Sequence, residues 1–261
     1  MARVRPGATT AARRLTAAPA ATAAVAALLI AAGTSCSPSG QPQAHSTPSS
    51  RPAEPGGTSN RVGTLFQDAL NGPRGCTASI VHSPHRNLLV TAAHCVYTAS
   101  QGQLDNLVFA PGYRNGEAPY GTWKAIATTV DPHWTAGGDP EYDVAFLALD
   151  AQDGRQIEDV LGGNPLGTDA GFGLPVSVTG YPNDSQNPIT CAGRTSKYSA
   201  TQERFDCYGY TDGTSGSPWL TSDGKVVGVI GGYQQGGDTE QTSYSITFDH
   251  RVTDLYRQAT A

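Results

Sequence analysis

Gly213-Thr214-Ser215-Gly216-Ser217-Pro218 is the stretch on which the reading of this chain turns. Glycine two residues before a serine and again one after it lets the backbone take a tight turn with its amides exposed. Such a turn suits a nucleophile whose own N–H faces a developing oxyanion. A serine hydroxyl is weak by itself, so the turn predicts a base to take its proton and an acid to orient that base.

Working outward, Thr91-Ala92-Ala93-His94-Cys95 supplies the base and Glu141-Tyr142-Asp143-Val144-Ala145-Phe146-Leu147 the acid. Ala92 and Ala93 are small enough for close backbone packing around His94. Asp143 stands at the head of an apolar run, where a buried carboxylate needs a partner such as the histidine Nδ1–H. Taken singly, a lone histidine is more often a solvated or core side chain, and a lone aspartate a strand opener. Their order carries the weight: His94 precedes Asp143 by 49 residues, and Asp143 precedes Ser215 by 72. His, Asp, Ser is one of several chain orders that reach the same constellation, and it excludes the subtilisin and α/β-hydrolase orders.

The surrounding chain agrees with an exported domain. Arg3, Arg5, Arg13 and Arg14 precede an Ala-rich apolar run from Ala17 to Ala32, too short and weakly apolar for a membrane span. Residues 1–36 read as a signal peptide. Cys36 stands where a lipid-modified N-terminal cysteine would be, and the alternatives are a lipid on Cys36 or simple cleavage near it. Residues 37–60 are crowded with Pro, Ser, Gly and Gln and hold no large apolar residue, so they read as a disordered linker. Residues 61–261 carry the β-branched and aromatic residues of a core, enough for one substantial domain.

From residue 61 the chain has 12 Lys and Arg against 21 Asp and Glu, a net of −9. This balance argues against nucleic acid or anionic lipid as a partner and leaves membrane attachment only to the N-terminal lipid. Four cysteines fall in the domain: Cys76, Cys95, Cys191 and Cys207. In an exported chain they imply two disulfides with three possible connectivities, of which Cys76–Cys95 and Cys191–Cys207 are the local pairs.

Short apolar or alternating runs, among them Cys76–His82, Asn87–Ala92, Leu107–Ala110, Val144–Leu149, Val176–Tyr181 and Val226–Ile230, are separated by turns such as Asn115-Gly116 and Asp223-Gly224. They predict an antiparallel all-β domain, closed by a helix over Phe248–Ala259. His82 and His85 share a His-x-x-His spacing, but no acidic or cysteine cluster completes a metal set. Neither metal nor cofactor is expected.

Together the three ordered blocks resemble those of chymotrypsin-fold (trypsin-like) serine peptidases, in particular the bacterial secreted branch with the V8-like glutamyl endopeptidases. Pro111-Gly112-Tyr113, Pro119-Tyr120-Gly121 and Gly180-Tyr181-Pro182 are similar to connecting segments of that branch. The resemblance covers roughly residues 61–257. It implies two packed six-stranded antiparallel β-barrels, catalysis by His94, Asp143 and Ser215, and an oxyanion hole from the amides of Gly213 and Ser215. The substrate is then a peptide or protein, and the enzyme a monomer. An esterase using the same triad and an inactive, protease-like binding module are the alternatives.

Departures from the family pattern bear on activation and specificity. Zymogen-activated members carry aspartate immediately before the nucleophile, where this chain has Thr214. Activity that does not depend on a freed N-terminus at Val62 is therefore expected. Trypsin-like members carry a pocket aspartate six residues before the nucleophile, here Gly209, and glutamyl endopeptidases a histidine near Ile230. Gly209, Tyr210, Ile230 and Gly231 are read as an uncharged pocket that takes an apolar or small P1 side chain.

Overall fold

A computed structural model describes residues 47–261. The segment expected to be a signal peptide, Cys36 and residues 37–46 lie outside the described residues.

Six strands close the first barrel: β1 (Val62–Gln67), β2 (Arg74–Val81), β3 (Leu88–Thr91), β4 (Leu107–Pro111), β5 (Trp123–Val130) and β6 (Ala145–Leu149). All neighbours run antiparallel in the order β1-β2-β3-β6-β5-β4, and β4 returns to β1 through the pair Gly63–Pro111. The first barrel's interior is filled by Leu65, Ile80, Leu89, Phe109, Trp123, Leu147 and Leu149, each almost fully buried. Closure removes the unpaired edges that an open sheet would expose.

The second barrel is built from β7 (Pro175–Gly180), β8 (Ile189–Lys197), β9 (Gln202–Asp206), β10 (Pro218–Leu220), β11 (Val226–Val229) and β12 (Thr242–Ile246). Their order is β11-β10-β7-β8-β9-β12, and the two ends meet where Gly231 N–H donates to Tyr244 O at 2.9 Å. Val178, Phe205, Tyr210, Trp219 and Val227 fill it, with the Cys191–Cys207 disulfide in the same cluster. Both disulfides take the local connectivity, Cys76–Cys95 in the first barrel and Cys191–Cys207 in the second.

Helix α1 (His250–Ala259) follows the last strand. Asp249 caps it by accepting from Arg251 N–H at 2.9 Å. Val252 and Leu255 on one face then pack with Phe146, Val144 and Phe248, so the helix covers the outside of the first barrel beside the second. The expected helix began two residues early because Phe248 belongs to the core without being helical.

One expectation is corrected outright. The linker read over residues 37–60 does not extend through its second half, since residues 48–60 are part of the fold. Tyr208 N–H donates to Pro48 O at 2.8 Å and Ser50 N–H to Tyr208 O at 2.9 Å, and Arg51–Pro52 pairs with Ile189–Thr190. Ala53 is 3% exposed, and a 3-10 turn over Gly57–Arg61 leads into β1. Composition weighs only side-chain burial, whereas this segment is held through its backbone on a sheet edge. Pro48, Pro52 and Pro55 narrow the conformations lost on docking, and an edge strand tolerates their missing donors.

Candidate active site

Asp143 follows a 3-10 turn (Pro140–Tyr142) and sits just ahead of β6 with no exposed surface. A carboxylate there requires donors, and it has three. Its Oδ2 accepts from His94 Nδ1–H at 2.8 Å and from Gly232 N–H at 2.8 Å, while Oδ1 accepts from His94 N–H at 2.9 Å. The carboxylate thus grips both the ring and the backbone of His94. This fixes the tautomer with Nδ1 protonated and leaves Nε2 as the acceptor. Gly232 is a site residue that sequence reading missed, because a backbone donor leaves no trace in side-chain chemistry.

His94 lies in the short turn after β3, with Ala92 and Ala93 fully buried behind it. Its side chain is 12% exposed. The Cys76–Cys95 disulfide staples the next residue to β2, with Cα atoms 5.9 Å apart. The same strand continues into Thr77, a second residue that sequence reading passed over.

Thr77 joins the barrels. Its N–H donates to Ser215 O at 2.8 Å, its hydroxyl donates to Gly213 O at 2.9 Å, and that hydroxyl accepts from Tyr181 N–H at 2.9 Å. The Ser215 turn is therefore anchored on the strand that also carries the disulfide beside His94. Gly216 N–H donates to Ile230 O at 2.7 Å, closing the turn from the other side. Among the described hydrogen bonds none joins Ser215 Oγ to the imidazole directly; the two are brought to one cleft by these flanking ties.

Both glycines of the turn are required by geometry. Gly213 has φ +94° and Gly216 φ +80°, and a Cβ on Gly216 would lie 2.1 Å from Thr77 O and 2.2 Å from Thr91 Oγ1. Neither the Gly213 nor the Ser215 N–H donates to an acceptor among the described residues. Two unengaged amides flanking a partly exposed serine are what an oxyanion site needs. Thr214 is buried, and its hydroxyl donates to Thr211 O at 2.6 Å. A local hydrogen bond thus occupies the place of the activation ion pair.

A recess of about 490 Å³ opens beside Ser215, walled by Tyr210, Thr211, Thr214, Ile230, Gly236 and Gly237 among others. A second of about 530 Å³ lies beside His94, against Tyr97, Trp134 and Gly137, and Gln235 borders both. Of the four expected pocket residues, Tyr210 and Ile230 line the first recess. Gly209 and Gly231 do not. Gly209 turns toward the N-terminal segment, where its Cβ would meet Ser50 Oγ at 2.4 Å. Gly231 packs instead on Ala92 and Asp143. Tyr210 donates its hydroxyl to Val178 O at 2.8 Å, and burial pushes its ionisation well upward, so it stays a neutral wall.

The rim differs from an uncharged pocket. Asp184, Asp212, Asp238 and Glu240 border the Ser215 recess, and none of its lining residues is Lys, Arg or His. Three of these acids, Asp184, Asp238 and Glu240, come to the Ser215 recess only once the loops fold back, so their proximity was not readable from spacing.

The sequence profile of the trypsin-like peptidase domain matches residues 76–229. The extracellular metalloprotease of Bacillus subtilis (strain 168) is 29% identical over 180 residues, 66% of this chain and 50% of that protein, so the chain spans about half the length of this curated relative. Protease Anisep from Arthrobacter nicotinovorans superposes with a TM-score of 0.69 at 27% identity, over 77% of this chain and 95% of that one. The thermostable serine protease AL20 from an extremophilic microorganism gives 0.68 at 27% identity, over 77% and 97%. A Glu endopeptidase shares the fold at TM-score 0.69 and 18% identity, over 82% and 98%. The chain belongs to the trypsin-like peptidase family.

Proposed function

We propose that this protein is a secreted serine endopeptidase that cleaves peptide bonds through His94, Asp143 and Ser215. The observation that carries the reading is the buried Asp143 carboxylate, which holds His94 through two hydrogen bonds, one to the ring Nδ1–H and one to the backbone N–H, is itself held by a third from Gly232 N–H, and leaves Nε2 free. In this mechanism His94 Nε2 takes the Ser215 Oγ proton as the hydroxyl attacks the carbonyl carbon. Asp143 stabilises the imidazolium, and the Gly213 and Ser215 amides bind the tetrahedral oxyanion. Collapse expels the amine, which receives the proton from His94, and leaves an acyl group on Ser215. Water then repeats the sequence in reverse. The Ser215–His94 contact tightens when substrate fills the cleft, as catalytic hydrogen bonds commonly do.

Two disulfides suit an oxidising compartment, which supports export. The carboxylates around the Ser215 recess disfavour an acidic P1 side chain, in line with the missing pocket histidine. Apolar or small P1 residues fit the Tyr210 and Ile230 walls. Cleavage of an unbiased peptide library tests this: the reading expects glutamate and aspartate to be depleted at P1, and a profile dominated by glutamate would overturn it. Esterase activity with no peptide cleavage would favour the second enzyme reading.

A further inference from the structure

We propose that a recess at one end of the second barrel binds an organic cation with a short apolar stem, of the alkylammonium or alkylguanidinium kind, through the Glu203 carboxylate. The recess holds about 280 Å³ and is walled by Asp169, Phe172, Glu203, Val227, Phe248 and Asp249 among others. It shares no lining residue with the recesses beside Ser215 and His94, and no Lys, Arg or His lines it. Its frame is tied in place: Asp169 N–H donates to Phe248 O at 2.7 Å, and Thr247 N–H to Thr201 O at 2.8 Å.

Glu203 lies in β9, two residues before Phe205 of the barrel core, and is 3% exposed. Its Oε2 is buried without a hydrogen-bond partner. A carboxylate so deep is ordinarily paired, because its charge is costly away from water. Burial pushes the Glu203 carboxyl pKa up, offset only by the Thr195 hydroxyl, and a cationic head at the carboxylate relieves the same uncompensated charge. The lysine across the strand pair does not supply that head. Lys197 stands opposite Glu203 in the β8–β9 register, yet no ion pair joins them among the described residues. Its ammonium lies instead over the Phe172 ring, 5.0 Å from the centroid.

The chemistry of the walls sets the class of ligand. Asp249 is already held by Arg251, whose Nη2 lies 2.9 Å from its Oδ2, so Glu203 and the exposed Asp169 carry the charge of the recess. A bare divalent ion, at about 2.3–2.6 Å from each oxygen, needs its carboxylates within about 5 Å of one another. The three carboxylates here do not gather within 4.8 Å. A cation with a body of its own suits the spacing better. Phe172, Val227 and Phe248 give its stem an apolar wall, and the Lys197 contact shows that the Phe172 face accepts an ammonium group. A free amine and a Lys or Arg side chain of a peptide offer the same chemistry. The site does not depend on the peptidase reading.

The test is isothermal titration calorimetry on the full chain at constant ionic strength, with n-butylguanidinium, n-butylammonium and, as the neutral control, n-butanol. A single saturable site with a Kd on the order of 1 mM is expected for the cations, and none for n-butanol. Glu203→Gln should weaken binding about 10- to 100-fold, and Phe172→Ala, at an exposed position, about threefold, both with unchanged circular dichroism. A peptide with a central arginine flanked by glycines, titrated into Ser215→Ala to prevent cleavage, separates the sources. Binding as tight as that of n-butylguanidinium assigns a peptide side chain; no binding of the peptide while the free cation still binds assigns a small molecule. The proposal is overturned by the absence of saturable binding of either cation, or by equal binding of n-butanol. Unchanged affinity in Glu203→Gln or, should that variant misfold, in Phe172→Ala would also overturn it, as would binding of calcium chloride in place of the organic cations.

Discussion

Replacing Thr77 with valine removes one hydroxyl and keeps the β-branched shape, so it isolates the tie between the barrels. Thr77 has no exposed surface, and Tyr181 and Gly213 are buried beside it. In Thr77→Val the Tyr181 N–H loses its acceptor and the Gly213 carbonyl loses its donor. Each buried group left unpaired costs about 1–3 kcal/mol, so the pair costs about 2–6 kcal/mol. With a urea slope of about 2 kcal/mol/M, the unfolding midpoint falls by about 1–3 M. Thr77→Ser keeps the hydroxyl and loses a methyl group, at about 1 kcal/mol. Because the hydroxyl also orients the Gly213 peptide, kcat in Thr77→Val should fall about 10- to 100-fold with KM little changed. Urea unfolding and steady-state kinetics on the three proteins read both effects. A valine variant no less stable than the serine variant, with wild-type kcat, would refute the claim that this hydroxyl holds the oxyanion turn.

Four further outcomes are expected. A chain beginning at Val62 should be about 1–2 kcal/mol less stable than one beginning at Thr47, because it lacks the backbone bonds to Tyr208 and Pro188, and it should be no more active; higher activity on starting at Val62 would reinstate an N-terminal latch. Asp143→Asn should lower kcat about 10⁴-fold with the fold intact, since the amide no longer selects the Nδ1–H tautomer, and circular dichroism with kinetics checks both halves. Cys191→Ser/Cys207→Ser should cost about 3 kcal/mol in chemical denaturation, given its 16-residue separation. Burial of Glu203 raises its carboxyl pKa above the usual range, so its ionisation disfavours the fold: relative to Glu203→Gln, the wild type should be most stable below the ordinary glutamate pKa and lose that advantage as pH rises through the raised value. Parallel stability curves for the two proteins across that window would contradict it.

The residues of the proposed triad could be picked out because each sits in a short local motif and their order is informative. Strands with a fully apolar inner face, such as β3 and β11, were legible for the same reason. Strands β5 and β8 were not: their residues are largely exposed or half-buried, Lys124, Ala127 and Thr128 in one and Arg194, Ser196 and Lys197 in the other, so no clean alternation marks them. Their pairing is settled by neighbours distant in the chain. The same non-locality hid Thr77, Gly232 and the acids around the Ser215 recess, whose roles exist only once β2, the loop after β11 and the turn before Ser215 are brought together. The N-terminal segment was misread because backbone pairing to a sheet edge has no compositional signature.

The most direct measurement is intact-mass and peptide mapping after incubation with phenylmethanesulfonyl fluoride, on the wild type and on Ser215→Ala and His94→Ala. One label per folded chain, located on Ser215, absent in Ser215→Ala and strongly slowed in His94→Ala, is what the proposed triad predicts. A correctly folded wild type that takes no label, or takes it at the same rate without His94, would contradict it and leave the two barrels as a binding module.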